Sequence, residues 1–137
     1  MGFELHPQLA ADTHEIGELP LSQVVLMNDS RFPWIILVPR VENARDLIDL
    51  SSNDQIRLTE EISATSKTLR TLFAPDKLNV AALGNMVPQL HVHVIARRIN
   101  DAAWPSPVWG VGSARPYAPQ TLVETSARLA AKLGISA

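Results

Sequence analysis

Cysteine is absent from the 137-residue sequence, which excludes disulfide bonds and thiolate metal ligands. An excess of one charge is absent too. The formal net charge is −2, so nothing draws the chain generally to nucleic acid or anionic membranes, and any anion recognition must be local. The apolar run at residues 34–38 falls far short of the roughly 20 residues that span a membrane. The first residues, Met1-Gly2-Phe3-Glu4, lack the basic and apolar regions of a signal peptide. We therefore expect a cytoplasmic protein without nucleic-acid or membrane partners.

The composition is typical of a folded chain. Apolar residues make up 46% and charged residues 19% of the sequence, which fits a soluble folded protein and not a disordered one. A chain of 137 residues is long enough to bury a hydrophobic core within one domain. We find neither an internal repeat nor a low-complexity tract, so we expect a single domain over residues 1–137.

Two strands are predicted early in the chain, at residues 21–27 and 34–38. Asn28-Asp29-Ser30 ends the first strand with a strong turn signal, and the two strands are close enough to pair as a hairpin. Residues 3–5 fit a further short strand, and residues 43–50 fit a helical turn.

A long helix is predicted from residue 52 to about residue 73. Ser52-Asn53-Asp54-Gln55 fits a capping box at its start. An apolar stripe at steps of four and three follows, formed by Leu58, Ile62, Thr65, Leu69 and Leu72. Strands at 78–83 and 89–96 come next, and a last helix at 119–133 begins with proline and stops at Gly134. This order predicts an α+β fold, an antiparallel sheet with helices mostly on one side.

The stretch Gln89-Leu90-His91-Val92-His93-Val94-Ile95 contains two of the four histidines. Side chains alternate along a strand, so Gln89, His91 and His93 are expected on one face, with Leu90, Val92 and Val94 on the other. A polar row on a buried strand costs stability unless its groups are solvated or hydrogen-bonded. We interpret this row as a candidate site.

His91 and His93 admit three interpretations. They can be hydrogen-bonded core histidines, since short motifs often occur by chance. They can bind a metal, but zinc normally needs a third protein ligand, which a distant His6 or His14 would have to supply. Arg97 and Arg98 follow the pair in sequence, and two cations there would oppose a metal and favour an anion.

The third interpretation is nucleophilic attack on a phosphate. An imidazole nitrogen can form a covalent bond to phosphorus if a partner fixes its tautomer and donors hold the phosphate oxygens. The loop Gly84-Asn85-Met86 offers backbone N–H groups, and the amides of Asn85 and Gln89 are further donors.

At these residues the sequence resembles the histidine triad (HIT) family. The resemblance includes Gln89-Leu90-His91-Val92-His93-Val94-Ile95, the preceding Asn79…Gly84-Asn85-Met86-Val87-Pro88, and Asn28…Pro33-Trp34-Ile35-Ile36-Leu37-Val38-Pro39, which together span roughly residues 21–110. It implies the HIT-like fold, with about five antiparallel strands, one long helix and a C-terminal helix. It also implies a homodimeric nucleotide hydrolase or transferase that acts on nucleoside phosphoramidates or dinucleoside polyphosphates.

The resemblance implies a role for each matched position. His91 would be the nucleophile that takes the nucleotidyl group, and His93 would help to bind the reacting phosphate. Substrate-binding roles fall on the polar residues nearby, with Asn85 at the phosphates, Asn79 beside the site, and Asn28 or Asp29 at the ribose. The simpler alternatives are a turn pair for Asn28 and Asp29, a strand-edge hydrogen bond for Asn79, and a solvated surface pair for Arg97 and Arg98. Trp104 and Trp109 would close the site, form a dimer interface or pack within their loop.

Two positions depart from the family pattern. Gln89 stands at the first triad position, and Ile35 stands where many members have a supporting histidine. Because glutamine cannot carry a proton between groups, the sequence leaves open an enzyme that works through a nucleotidyl-His91 intermediate and a nucleotide-binding module with little catalysis. For either one the expected ligand is a purine nucleotide. No cofactor is required by the protein itself, which leaves open a divalent metal bound with the substrate phosphates.

Overall fold

Five strands form one antiparallel sheet in the computed structural model, which describes residues 2–135. The strands are β1 (Thr13–Glu18), β2 (Ser22–Met27), β3 (Trp34–Pro39), β4 (Lys77–Ala81) and β5 (Val92–Arg97). Their order across the sheet is β1-β2-β3-β5-β4, and every neighbouring pair is antiparallel. The strand that carries His93 therefore lies inside the sheet, hydrogen-bonded on both sides. The predicted α+β fold with a five-stranded antiparallel sheet is confirmed.

Two helices follow the prediction closely. Helix α2 spans Ser52–Phe73, and α3 spans Pro119–Leu133 with proline in its first turn and Gly134 in the left-handed conformation (φ +75°) at its end. The start of α2 differs from the predicted capping box by one residue. Ser51 is the N-cap, and its Oγ accepts a hydrogen bond from the backbone N–H of Asp54 at 3.1 Å.

The sheet has a different cover on each face. Helices α2 and α3 pack on one face, where Leu58, Leu69 and Leu129 join a core that includes Val92 and Val94. The other face is covered by a short helix, α1 (Pro7–Asp12), and by the loop that contains Val108. The two long helices thus leave the second face to α1 and loops, and this is the face on which His93 lies. In the described residues, 2–135, no helix has the length and apolar character needed to cross a membrane.

Three parts of the sequence-based assignment were wrong. Residues 3–5 do not form a strand, and both α1 and β1 were missed. Only Ile16 of the six residues in β1 is buried, so this edge strand lacks the apolar alternation that marks a strand in sequence. The strand predicted from residue 89 begins at Val92, because the N–H of Leu90 donates instead to the carbonyl of Ala44 at 3.0 Å. By contrast, the helical turn predicted within residues 43–50 is present, as a short 3-10 helix at Leu47–Asp49.

Candidate functional site

His91 and His93 lie side by side on the sheet face opposite α2 and α3. Their ring centroids are 4.9 Å apart, and the two residues are only 7% and 4% exposed. The intervening Val92 and the flanking Leu90 and Val94 pack into the core on the helix side. The predicted alternation is therefore present, although His91 itself precedes the first residue of β5.

His91 is held through its backbone-side ring nitrogen. Its Nδ1 lies 2.7 Å from the backbone carbonyl oxygen of Gln89. A carbonyl oxygen only accepts hydrogen bonds, so Nδ1 must carry the hydrogen and donate. In the neutral ring the hydrogen is then absent from Nε2, which keeps its lone pair.

His93 has the opposite hydrogen-bonding arrangement. The indole Nε1 of Trp34 lies 2.9 Å from Nδ1 of His93. An indole N–H only donates, so Nδ1 of His93 accepts and Nε2 carries the hydrogen of the neutral ring. Burial and, to a lesser extent, the neighbouring charge of His91 lower the pKa of His93 to about 4. His93 is consequently neutral at pH 7 and presents one N–H.

Trp34, and not residue 35, is the β3 side chain that faces the histidines. Ile35 is fully buried in the core on the helix side, and so a histidine at position 35 would point away from His91 and His93. Ile36 pairs with His93 in the sheet, and alternation puts Trp34 on the same face as Ile36. A side chain at position 35 therefore cannot support the histidine pair, and the period of two along the strand was the signal that could have shown this.

The side chain of Gln89 is engaged with the N-terminal segment. Its Oε1 accepts from the backbone N–H of His6, and its Nε2 donates to the carbonyl of Glu4, both at 2.8 Å. The first triad position therefore contributes to the site through its backbone carbonyl on His91, while its amide anchors the chain before α1. A backbone carbonyl is present whichever residue stands at position 89.

Arg97 is not on the surface, contrary to the sequence-based expectation. It is 1% exposed, and its guanidinium forms a bidentate pair with Asp101 at 2.7 and 3.0 Å. It also donates to Oδ1 of Asn79 at 2.9 Å and lies over the ring of Trp104. Because Asp101 neutralises Arg97, this arginine provides no free charge for an anion.

Asp101, the partner of Arg97, keeps its charge, whereas Arg98 lies at the surface. Burial alone would raise the pKa of Asp101, but hydrogen bonds from Arg97 and from three backbone N–H groups outweigh it and hold the pKa far below its ordinary value. Arg98 is exposed, and its guanidinium donates to the carbonyl of Phe73, at the end of α2. The sequence argument that this arginine pair favours an anion over a metal therefore loses its basis.

Asn28 and Asp29 border a cleft of about 460 Å³ that also includes Trp34 and Trp109. Oδ1 of Asn28 accepts from the backbone N–H of Tyr117 at 2.9 Å. Asp29 is 2% exposed, and its oxygens accept from the guanidinium of Arg31 and from backbone N–H groups. Burial would raise the pKa of Asp29, but these contacts lower it overall. Asp29 thus holds the surrounding loops together, and Asn28 is the less constrained of the pair.

Asn85 and Gly84 border two adjoining hollows close to His91. One, of about 340 Å³, is lined by His91, Gly84 and Arg45, and the other, of about 300 Å³, by Asn85, Gly84 and Arg45. Asp46 lines both hollows as well. Arg45 was missed from the sequence because it lies more than forty residues before His91. The contact between Ala44 and Leu90 brings it there, and no local pattern reveals that contact.

The two tryptophans of the proline-rich loop have different surroundings. Trp109 packs edge-on against His93, with ring centroids 4.9 Å apart, and against Trp34 at 5.8 Å. Trp104 contacts Arg97 on the same face of the sheet. Trp109 therefore packs on His93 at the site, which fits one of the sequence-based alternatives.

A metal site of three histidines is not formed. Within residues 2–135, no three side chains of the metal-binding types come together closely enough to share an ion. Nδ1 of His6 accepts from the backbone N–H of Gln8, and His14 pairs across the sheet with Leu26, whose side chain is in the core on the helix side. The site instead combines two imidazoles of opposite tautomer, which can offer a nucleophile and a hydrogen-bond donor to one ligand.

Comparison with known proteins supports the resemblance seen in the sequence. The family model described as the HIT domain matches residues 8–100. Among solved structures, a histidine triad protein from Marinobacter aquaeolei VT8 is 50% identical, with 98% of each chain covered and a TM-score of 0.94. A histidine triad protein from Bradyrhizobium japonicum is 47% identical, covering 97% of this chain and 99% of that chain, with a TM-score of 0.94.

A third structure, a histidine triad (HIT) protein from Sinorhizobium meliloti 1021, is 43% identical. The match covers 95% of this chain and 96% of that chain, with a TM-score of 0.92. No sequence among the curated proteins matches. The matched family covers more than half of the chain and includes both site histidines. The chain belongs to the HIT domain family of nucleotide-binding proteins.

Proposed function

We propose that the protein is a cytoplasmic nucleotide hydrolase or nucleotidyl transferase with Nε2 of His91 as its nucleophile. The substrates would be nucleoside phosphoramidates or dinucleoside polyphosphates that carry a purine base. The observation that carries this proposal is the 2.7 Å contact between Nδ1 of His91 and the Gln89 carbonyl. This contact leaves the lone pair on Nε2 and orients the ring, as a nucleophile requires.

The proposed reaction has two displacements at the α-phosphorus. First, the lone pair of His91 Nε2 attacks phosphorus, and the bond to the leaving nitrogen or oxygen breaks with its electron pair on the leaving atom. A leaving nitrogen takes a proton from solvent, while from a dinucleoside polyphosphate the remaining nucleoside phosphate leaves as an anion. Water or another acceptor then attacks phosphorus, gives up one proton, and breaks the Nε2–P bond. The nucleotide is released and His91 returns to its neutral form.

His93 is proposed to donate its Nε2 hydrogen to a phosphate oxygen during both displacements. Because its pKa is about 4, it stays neutral while His91 carries positive charge in the intermediate, which avoids two cations at a ring separation of 4.9 Å. A fixed donor directed at developing oxyanion charge stabilises such transition states.

The substrate contacts are proposed from the two concave regions that adjoin the histidines. Asn85, Gly84 and Arg45 line the hollows beside His91 and would hold phosphate oxygens. Asn28 borders the cleft with Trp34 and Trp109 and would bind the ribose. Asn79 would act near the site through its contact with Arg97. The mechanism needs no cofactor bound by the protein, and a divalent metal would enter only with the substrate phosphates.

Turnover of defined substrates tests this function. Purified protein is incubated with adenosine phosphoramidate and, separately, with a diadenosine polyphosphate, and release of AMP is followed. We expect release from at least one of them. If neither substrate releases AMP, the proposed activity is excluded.

A second candidate is a nucleotide-binding module with little catalysis. It is favoured by the engagement of the Gln89 side chain with Glu4 and His6, which removes that amide from any chemistry at His91. Calorimetry with AMP separates the two candidates. Tight binding without turnover supports the module, and turnover excludes it.

Replacement of Gln89 by alanine is expected to change kcat by less than about 10-fold, because the side chain is bound to the N-terminal segment and takes no part in the chemistry. A side chain that acted as a general acid or base would typically be worth 10²- to 10⁴-fold. The backbone carbonyl on His91 survives this substitution, and only the anchor of the N-terminal segment is lost. Amide hydrogen exchange should accelerate in residues 4–6. A loss of kcat comparable to that of a nucleophile variant would instead assign the Gln89 side chain to the chemistry.

We also propose that the protein is a homodimer. The two edges of the sheet differ: β1 is polar and interrupted by a bulge near Gly17, as protected edges are, whereas Val80 on β4 is half exposed and Met86 beyond it is 93% exposed. The edge at β4 is thus the better candidate interface. Sedimentation at micromolar concentration should give a dimer, and Val80→Glu should shift it toward monomer, while Val123→Glu on α3 should not. A wild-type monomer at that concentration would contradict the proposal.

A further inference from the structure

The contact between Trp34 and His93 joins a strictly donating group to a titratable ring. Trp34 is 5% exposed and His93 is 4% exposed, so water does not compete for the 2.9 Å hydrogen bond between them. An indole N–H neither accepts a hydrogen bond nor changes protonation over the pH range in which a protein is folded. Trp34 therefore requires Nδ1 of His93 to accept a hydrogen bond at every such pH.

We propose that Trp34 is a positioning residue that holds His93 in the single tautomer with hydrogen on Nε2, so that His93 can only donate to the bound phosphate. The inference deepens the proposed function and rests on it for its catalytic meaning. The hydrogen bond itself is a property of the protein without substrate and can be tested separately.

Among residues 2–135, the surroundings of His93 contain no other group that could fix its tautomer. His91 lies beside it, Ile36 on β3 and Ala81 on β4 are its cross-strand neighbours, and Trp109 packs edge-on from the loop. Of these, only His91 has an ionisable side chain. The contact with Trp109 is between rings at 80°, and the two apolar side chains cannot form hydrogen bonds.

Protonation of His93 would break this arrangement. The imidazolium carries hydrogen on both nitrogens, so its Nδ1–H would meet the Trp34 N–H donor to donor. The indole thus acts in the same direction as burial and the charge of His91, which lower the pKa of His93 to about 4.

The two histidines obtain opposite tautomers from two different partners. A carbonyl fixes His91 with its lone pair on Nε2, and the indole fixes His93 with its hydrogen on Nε2. A nucleophile and a donor are therefore set side by side without any contribution from the side chain at position 89. Trp34 thus fixes the tautomer of His93 in this chain, although glutamine stands at the first triad position.

Nitrogen NMR of the histidine rings tests the proposal without substrate. In the wild-type protein the His93 ring should show a protonated Nε2 and an unprotonated Nδ1 between about pH 5.5 and pH 8, since this range lies above its lowered pKa. Observation of the Nδ1–H tautomer in the wild type would overturn the proposal before any substitution is made.

Two aromatic substitutions separate the hydrogen bond from packing. Trp34→Phe keeps an aromatic ring but removes the donor, so His93 should show a mixture of tautomers and a pKa raised by roughly one unit. Trp109→Phe alters another ring packed on His93 but no hydrogen bond, so the tautomer should stay unchanged. An unchanged tautomer and pKa in Trp34→Phe, or an equal change in Trp109→Phe, would contradict the inference.

Kinetics then distinguish this inference from the proposed function. In Trp34→Phe we expect kcat to fall about 10-fold or more with a smaller change in KM, since a donor that acts in the transition state is misplaced. The acid limb of the pH–rate profile should move to higher pH with the pKa of His93. If the NMR results are as expected but the wild type shows no turnover, the proposed function fails and the tautomer assignment stands.

Discussion

Replacement of His91 by alanine should lower kcat by on the order of 10³-fold or more, because a covalent mechanism loses its intermediate when the nucleophile is removed. The ring hydrogen-bonds to the neighbouring backbone carbonyl of Gln89, a local contact, so the substitution should leave the sheet intact. Steady-state release of AMP measures the effect, and calorimetry with AMP should show that nucleotide still binds.

His14→Ala is the matched control for this prediction. His14 is also a strand histidine, but it pairs with Leu26, whose side chain packs on the helix side of the sheet. The control should retain kcat within about twofold, as is usual for a residue away from the reacting groups. Equal rates for His91→Ala and the wild type would reject His91 as the nucleophile.

Asp101→Asn should destabilise the protein by about 3–5 kcal/mol, because removing one partner of a buried ion pair leaves an uncompensated charge. Arg97 and Asp101 have side chains that are only 2% and 7% exposed, and their bidentate geometry is short, at 2.7 and 3.0 Å. Asp101 also accepts from the backbone N–H groups of Ala103 and Trp104 in the loop that covers the site. Urea denaturation at neutral pH measures the change.

Two comparisons make this stability prediction specific. Glu18→Gln breaks an exposed pair with Arg40, 3.8 Å apart, and should cost at most about 1 kcal/mol. Arg97→Met combined with Asp101→Asn removes both charges and should recover part of the loss. An Asp101→Asn variant no less stable than Glu18→Gln would show that the buried pair contributes little.

The same pair predicts how stability depends on pH. The pKa of Asp101 is lowered in the folded protein, so its contribution is fully present above the unfolded value of about 3.9 and is lost as the pH falls below it. The difference between wild type and Asp101→Asn should therefore shrink in acid. A difference that stays constant down to pH 2 would contradict this reading of the contact.

The parts of the fold that depend on local signals were predictable from sequence. The stripe from Leu58 to Leu72, the proline at the start of α3 and Gly134 at its end depend on residues within a few positions of one another. The alternation of His91 and His93 with valine is equally local. Both long helices have the predicted bounds, and the strand that carries His93 begins three residues later than predicted.

The features that were missed depend on contacts distant in sequence. Trp34 and His93 are 59 residues apart, and the contact of Gln89 with His6 joins residues 83 apart. Arg97 looked like a surface residue because two adjacent arginines in a polar stretch usually are. It is buried because the loop after β5 folds back and supplies Asp101 and the carbonyl of Ser106.

Gln89 shows most clearly how a residue's role in the structure can differ from the role that its sequence position suggests. In the sequence it is a missing histidine, and the question was whether an amide side chain could do the work of an imidazole. In the structure the ring of His91 contacts the carbonyl of position 89, and the amide is occupied by the N-terminal segment. The question of catalysis therefore shifts from the Gln89 side chain to the two hydrogen bonds that fix His91 and His93.

The most direct test of the central claim is the mass of the protein during turnover. The reaction with adenosine phosphoramidate is quenched in base, which preserves a phosphorus–nitrogen bond, and the intact protein and its peptides are weighed. We predict an added adenylyl group on the peptide that contains His91, absent from His91→Ala. Steady turnover in which no nucleotidyl group appears on His91 at any quench time, together with an active His91→Ala variant, would contradict the proposed mechanism.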